Sequence, residues 1–317
     1  MNPVNEVEAM KAIRLYGSRD GQDVVLEEVP VPEASPGEVL VRVHAAAITP
    51  GELQWYPTWH TRQGAPRLRP VPSHEFSGVI ETVGPDVTGL RTGEPVYGLN
   101  DWFSDGAAAE YCVATPAGIA PKPAAIDHLH AAAVPISGLT AWQALFERGK
   151  LEAGRKVLIH GGAGGVGSMA IQLAAWRGAF VATTVSEANT EFVRSLGAHE
   201  PLDYRKTKFE GVAADADLIL DLVGGDTLAR SFRAIKPGGR VVTVATDAES
   251  SEDPQVKGAF FIVEPNREQL VELARLIDAG IVRPVLGEVL PLEEGARAYF
   301  PSKKPSRGKA VLQVSTP

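Results

Sequence analysis

Gly161, Gly162, Gly164, Gly165 and Gly167 place five glycines within seven positions. A run this bare lets backbone amides approach a bound anion closely. Gly162, Gly164 and Gly167 fit G-x-G-x-x-G. In that pattern the first glycine makes the tight turn, the second admits pyrophosphate, and the third lets helix and strand pack. Val157 to Ile159 before them form a short apolar run suited to a buried parallel strand. Val166, Met169, Ala170 and Leu173 after them recur at helical spacing. Strand, turn and helix together are a dinucleotide-binding opening, with the pyrophosphate on free amides at the helix N-terminus, among them Gly165 and Val166.

The same glycines also fit a second pattern. Gly161, Gly165 and Gly167 read as G-x-x-x-G-x-G, and Tyr204 with Lys208 supplies Y-x-x-x-K, as in short-chain dehydrogenases. Position argues against that reading, because about half the chain precedes the turn and Tyr204 follows it closely. For the nicotinamide cofactor, an NAD site would carry Asp or Glu at the end of the second strand. Here Val181-Ala182-Thr183-Thr184 ends in threonines, Thr184 being the candidate contact, and Glu187 falls late. The 2′-phosphate of NADP(H) is therefore not excluded, and NADP(H) is favoured. Acid–base machinery is not evident: the seven histidines show neither triad nor metal spacing. Cys112 is the single cysteine, so intramolecular disulfides and cysteine-cluster zinc sites are ruled out, and a reducing cytoplasm is expected.

These residues need a scaffold, and the 317-residue chain is long enough for two domains. No apolar run approaches the ~20 residues of a membrane helix, and the first residues lack a secretory pattern. A net charge of −8 argues against broad nucleic-acid binding, although Lys303, Lys304, Arg307 and Lys309 cluster locally. Residues 1–9 read as a loose extension. Strands are expected at 10–16, 24–29, 38–44, 76–83, 95–99 and 109–114, punctuated by Gly and Pro as in a β-rich barrel. From about Ala131 the pattern changes to β/α alternation. A helix is expected at 140–146, strands at 179–184, 200–203, 217–222 and 240–245, and helices at 189–196, 227–235 and 267–278. Val256 to Val263 reads as a last apolar strand at the sheet edge, where it would seek a partner. Short β-like runs return after Gly280. The expected fold is α/β: a Rossmann doubly wound parallel sheet in 131–279, plus a GroES-like β-rich barrel domain from 1–130 and 280–317.

Motifs spread along the chain carry a family resemblance. They are Pro36-Gly37-Glu38-Val39-Leu40-Val41, Ser73-His74-Glu75-Phe76-Ser77-Gly78, Gly138-Leu139-Thr140-Ala141, the glycine turn, Ser195-Leu196-Gly197-Ala198, Leu202-Asp203-Tyr204, Lys236-Pro237-Gly238-Gly239 and Arg307-Gly308-Lys309. In this order they resemble the medium-chain dehydrogenase/reductase superfamily, in its zinc-free quinone oxidoreductase (zeta-crystallin-like) branch. In zinc-dependent relatives a Gly-His-Glu segment supplies one ligand beside cysteines. Here Thr49 stands at the first cysteine's place and no third ligand is evident near Ile136, so no metal is expected. His74 and Glu75 then read as hydrogen-bonded structural residues.

The resemblance implies an NADPH-dependent hydride transfer to a small electron acceptor, a quinone or an α,β-unsaturated carbonyl, in a homodimer. Two alternatives are a non-catalytic NADP(H)-binding sensor or structural protein, and a zinc-dependent alcohol dehydrogenase. Thr140, Val223, Thr246, Phe261 and Val263 would line the cofactor, and Lys309 would bind it. Tyr204 matches a 2′-phosphate contact of the family. Asn189 occupies the place of a phosphate-binding lysine and also suits a helix N-cap. Lys304 lies near a C-terminal basic position of the family. Thr49 would face the substrate oxygen, or simply end a strand. Trp55, Tyr56, Trp59 and Trp102 fall in expected loops, either as an aromatic cleft or as core anchors, with Tyr56 a candidate proton donor.

Overall fold

The structure, a computed structural model, describes residues 8–49, 51–245, 248–300 and 307–315. Thr246 and Lys304 lie outside the described residues. A five-stranded parallel sheet holds Glu200–Asp203, Phe180–Val185, Lys156–His160, Leu218–Asp221 and Arg240–Thr243 in that spatial order. The glycine-turn strand is thus central, and strand order reverses beside it. Its short apolar run reflects burial on both faces. Val157, Ile159, Leu218 and Leu220 enter one core with helices Pro135–Trp142, Gly165–Trp176 and Arg267–Asp278. Leu158 and Ile219 point the other way, against Leu202, Phe209 and Ala213. The sheet is doubly wound.

A seven-stranded, mostly antiparallel sheet forms the β-rich GroES-like part. Its central strand, Val39–Ile48, pairs with Glu75–Val83, Tyr111–Ala114 and Lys309–Gln313. Ala47 lies opposite Glu75 on one neighbour, and Ile48 lies opposite Ala310 on the other. Thr49, Glu75 and Lys309 are therefore brought to the same end of three adjacent strands. A hairpin of Ala9–Ser18 and Gly21–Pro30 stands beside this sheet, its first strand beginning inside the expected extension. The two parts meet through buried contacts: Tyr97 is wholly enclosed, and its hydroxyl donates to Leu270 O on helix Arg267–Asp278 at 2.6 Å.

Two expected elements differ. The helix expected at 140–146 starts earlier, as Pro135–Trp142, and continues as a π-helix over Gln143–Arg148. The expected strand Val256–Val263 is not formed. Asp253 accepts from Gln255 N at 2.8 Å, Pro254 takes the first helical position, and Pro254–Ala259 is helical. Only Phe260 bridges to Thr243 beyond it, so a long free edge for self-pairing is missing there.

Candidate functional site

Each glycine of the turn answers a separate local demand. Gly161, just after strand Lys156–His160, is the left-handed residue, with φ +81°. The tight turn is thus made one residue before the G-x-G-x-x-G pattern begins, which corrects the role expected for Gly162. At Gly162 a methyl group would run into Thr183 Oγ1, and at Gly167 into the carbonyl of Gly161. Gly164 differs. It is extended (φ −75°, ψ 179°), caps helix Gly165–Trp176, and a methyl there would meet only Gly161 O, at 3.6 Å. Its open side faces a cavity. The first amides of the helix have no carbonyl one turn back, so the helix start suits an anion.

His160 holds the turn against the second strand. It is fully buried, and burial pushes its pKa down to about 4, so the ring is neutral. Ser231 Oγ donates to Thr227 O at 2.7 Å, which leaves that oxygen to accept from His160 Nε2–H at 3.1 Å. Nδ1 then accepts from Thr184 Oγ1 at 3.1 Å, while Gly161 N–H donates to the same threonine at 3.3 Å. One hydrogen-bonded chain fixes the turn, the end of the second strand and helix Gly225–Ala234.

Beside this chain lies a cavity of about 790 Å³. Of the residues expected from sequence, Gly164, Thr184, Asn189, Tyr204 and Val223 line it. Missed from sequence were His160, Ser186 and Arg205 at or just beyond strand ends, Thr207 and Phe209 ahead of helix Glu210–Ala213, and Thr227 and Arg230 on helix Gly225–Ala234, none of which carries a motif. The lining includes two arginines and no carboxylate. Asn189 precedes helix Thr190–Ser195, as an N-cap would, but makes no capping bond; its amide donates to Ser186 Oγ at 3.2 Å. Tyr204 is exposed in the turn after the third strand, so it does not share a long helix with Lys208.

A second polar group sits where the three strand ends converge. The Lys309 ammonium, nearly buried, is paired with the fully buried Glu75 carboxylate and donates to Thr49 Oγ1 at 2.8 Å. Thr49 Oγ1 donates in turn to Glu75 Oε1 at 3.2 Å. The other Glu75 oxygen accepts from Ile136 N–H at 2.9 Å, in the first turn of helix Pro135–Trp142. Glu52 accepts from Thr49 N–H and Ser73 N–H, and burial pushes its pKa up to about 8 against the pull of Lys309. His74 is buried, its pKa driven down to about 4 by burial; its Nδ1 lies 3.1 Å from Asn100 Oδ1 and its ring meets Trp102 edge-on. Among the described residues no three His, Cys, Asp or Glu side chains converge as a metal group would.

This polar group and the glycine turn touch. A methyl at Gly165 would lie 2.9 Å from Ser137 Oγ and 3.3 Å from Lys309 Cδ. Ser137 Oγ is buried and has no hydrogen-bond partner among the described residues, and Val166 is half-buried in the helix's first turn. Thr140 is buried one helical turn beyond Ser137, whereas Phe261 and Val263 are packed in the core. The aromatic residues divide. Trp59 is a core anchor, its indole donating to Leu53 O at 2.8 Å. Tyr56, on the short helix Tyr56–Trp59, is half exposed and stacked on His60. Trp55 and Trp102 meet edge-on beside His74.

Residues 35–124 match the family described as "Alcohol dehydrogenase GroES-like domain", and residues 196–312 the family described as "Zinc-binding dehydrogenase". A "Probable zinc-binding oxidoreductase, mitochondrial" of Arthroderma benhamiae is 32% identical over 305 residues, covering 90% of this chain and 91% of that protein. The "NADPH-dependent alkenal/one oxidoreductase, chloroplastic" of Arabidopsis thaliana is 34% identical over 282 residues, 86% of this chain and 70% of that one. Among solved structures, the quinone oxidoreductase from Coxiella burnetii superposes with a TM-score of 0.85 at 30% identity, covering 97% of this chain and all of that one.

Proposed function

Because the chain belongs to the medium-chain dehydrogenase/reductase superfamily of oxidoreductases, we propose that it transfers a hydride from NADPH to a quinone or an α,β-unsaturated carbonyl, without a metal. The observation that carries this reading is the cavity beside the glycine turn, lined by two arginines and no carboxylate. An acid that holds a ribose 2′-hydroxyl would repel a 2′-phosphate, and none lines this wall. The open side of Gly164 gives pyrophosphate a close approach to the helix start, and the orphaned Ser137 Oγ lies one contact from that helix. Gly164, Thr184, Asn189, Tyr204 and Val223 would hold the cofactor, with Gly165 and Val166 offering amides.

The donor set near the strand ends does not suit catalytic zinc, which takes three protein ligands. Thr49 presents a hydroxyl, His74 is tied to Asn100, and Glu75 is already neutralised by Lys309. The chemistry that bound cofactor supplies is a hydride; the protein's share is position and exclusion of water. We assign Thr49 to the acceptor's oxygen, to which its hydroxyl would donate by turning from Glu75, and the half-exposed Tyr56 to the role of proton donor. NADPH oxidation should saturate with an aromatic quinone or a 2-enal in chelator-treated protein. The reading fails if neither acceptor class supports turnover while NADPH still binds, or if turnover returns only with added zinc.

A further inference from the structure

We propose that Arg307 reads the 2′-phosphate of NADPH in this chain, taking over from the lysine whose place Asn189 occupies. The inference rests on the NADP(H) reading of the cavity and adds to it the residue that sets the preference. Arg307 comes from the far end of the chain, yet the fold pins it beside the glycine turn. Gly308 N–H donates to Ala163 O at 2.9 Å, and Gly308 bridges Gly164 as a strand would. Gly308 has φ +64°, and a methyl there would run into the carbonyl of Val285, so this approach depends on glycine.

From that anchor the Arg307 side chain reaches the loop after the second strand. Its Nε donates to Asn189 Oδ1 at 2.7 Å, its Nη2 donates to Ala188 O at 3.0 Å, and its guanidinium lies 4.6 Å from the centre of the Phe192 ring. These contacts fix the plane of the guanidinium, and among the described residues Nη1 has no hydrogen-bond partner. Asn189 and Ser186 are themselves cavity wall. A fixed positive charge therefore stands where the second strand ends, the point at which this fold type distinguishes a 2′-hydroxyl from a 2′-phosphate. The carboxylate of Glu187 on the same loop is engaged by Lys206 at 2.8 Å. A planar guanidinium suits a phosphate better than an ammonium does, and in NADH it has nothing to hold.

The same contacts could serve only to fasten the C-terminal segment, and binding measurements separate the two roles. Full-length protein and its Arg307→Gln and Arg307→Lys variants are titrated calorimetrically with NADPH, NADH, 2′,5′-ADP and 5′-AMP, and thermal melting is recorded for each. The expected result for Arg307→Gln is an about 10- to 100-fold weaker affinity for NADPH and 2′,5′-ADP, with NADH and 5′-AMP within about 2-fold. Arg307→Lys should recover part of the loss. If the unaltered protein prefers NADPH and Arg307→Gln keeps that ratio, or weakens all four ligands alike with a lower melting temperature, Arg307 is a fastener and the proposal is overturned. If the unaltered protein binds NADPH and NADH alike, the NADP(H) reading itself falls, and this inference with it.

Discussion

Gly162 and Gly164 stand two positions apart in one motif and fail in opposite ways when a methyl group is added. At Gly162 the methyl meets Thr183 Oγ1 and comes within 3.0 Å of Ile171 Cδ1, both inside a packed layer. Overpacking of this kind costs about 1–3 kcal/mol, so Gly162→Ala should lower the unfolding midpoint in urea. At Gly164 the backbone is extended and open, so Gly164→Ala should fold with an unchanged midpoint. Its methyl would instead occupy the approach to the helix amides, and NADPH affinity should drop about 10-fold or more. Equal affinities for NADPH in Gly164→Ala and the unaltered protein would mean that the pyrophosphate lies elsewhere. Motif spacing revealed both glycines but not this division, because the neighbour of Gly162 lies on the second strand. Arg307 was less legible still. Its partners Ala188, Asn189 and Phe192 are more than a hundred positions away, and nothing in Arg307-Gly308-Lys309 announces which loop the side chain reaches.

At the scale of elements, the register of three strands assembles Thr49, Glu75 and Lys309, and Glu75 then caps a helix it does not belong to. Helix Pro135–Trp142 lacks a capping side chain of its own, and Ile136 N–H is satisfied by Glu75 across the interface. Glu75→Gln keeps an oxygen that can accept from Ile136 N–H, but it leaves the Lys309 ammonium buried without its counter-charge. Such a loss costs about 3–5 kcal/mol. Adding Lys309→Met in the same chain should recover much of it, and urea unfolding of the double-mutant cycle would measure the coupling. Additive effects would mean that the ion pair contributes nothing of its own. The strands themselves were readable from alternation and turn residues, as were the parallel strands from short apolar runs. The failure at Val256–Val263 is instructive: apolar composition favoured a strand, but Asp253 and Pro254 form a helix start, and that local signal won. The π-turn at Gln143–Arg148 left no sequence mark, because it depends on Gly149 closing onto Ala144 O.

For the whole molecule, pH acts on both halves, since each buries a neutral histidine: His74 in the β-rich part and His160 under the parallel sheet's turn. Burial holds both near a pKa of about 4, below the ordinary 6.5. Between those values the unfolded chain takes up protons that the folded chain refuses, so stability falls as pH drops from about 6.5 towards 4. Each ring contributes up to about 3 kcal/mol of this loss, at 1.36 kcal/mol per pKa unit. Glu52 runs the other way. Its folded pKa of about 8 exceeds the ordinary 4.5, so its contribution is complete at low pH and is lost as pH rises through that window. Burial lowers the His128 pKa to about 4 as well. Where the ranges overlap, three imidazoles therefore outweigh one carboxyl, while above about 6.5 the loss from Glu52 continues, which places the stability maximum near pH 6.5. Urea unfolding across this range should show a decline on both sides. His160→Gln should make the acid limb shallower, by removing one of the rings that titrate there, while leaving the alkaline limb intact. A midpoint that stays level from about pH 6.5 down to 4.5 would show that these rings titrate as they do in water, and that burial does not hold the turn's histidine neutral.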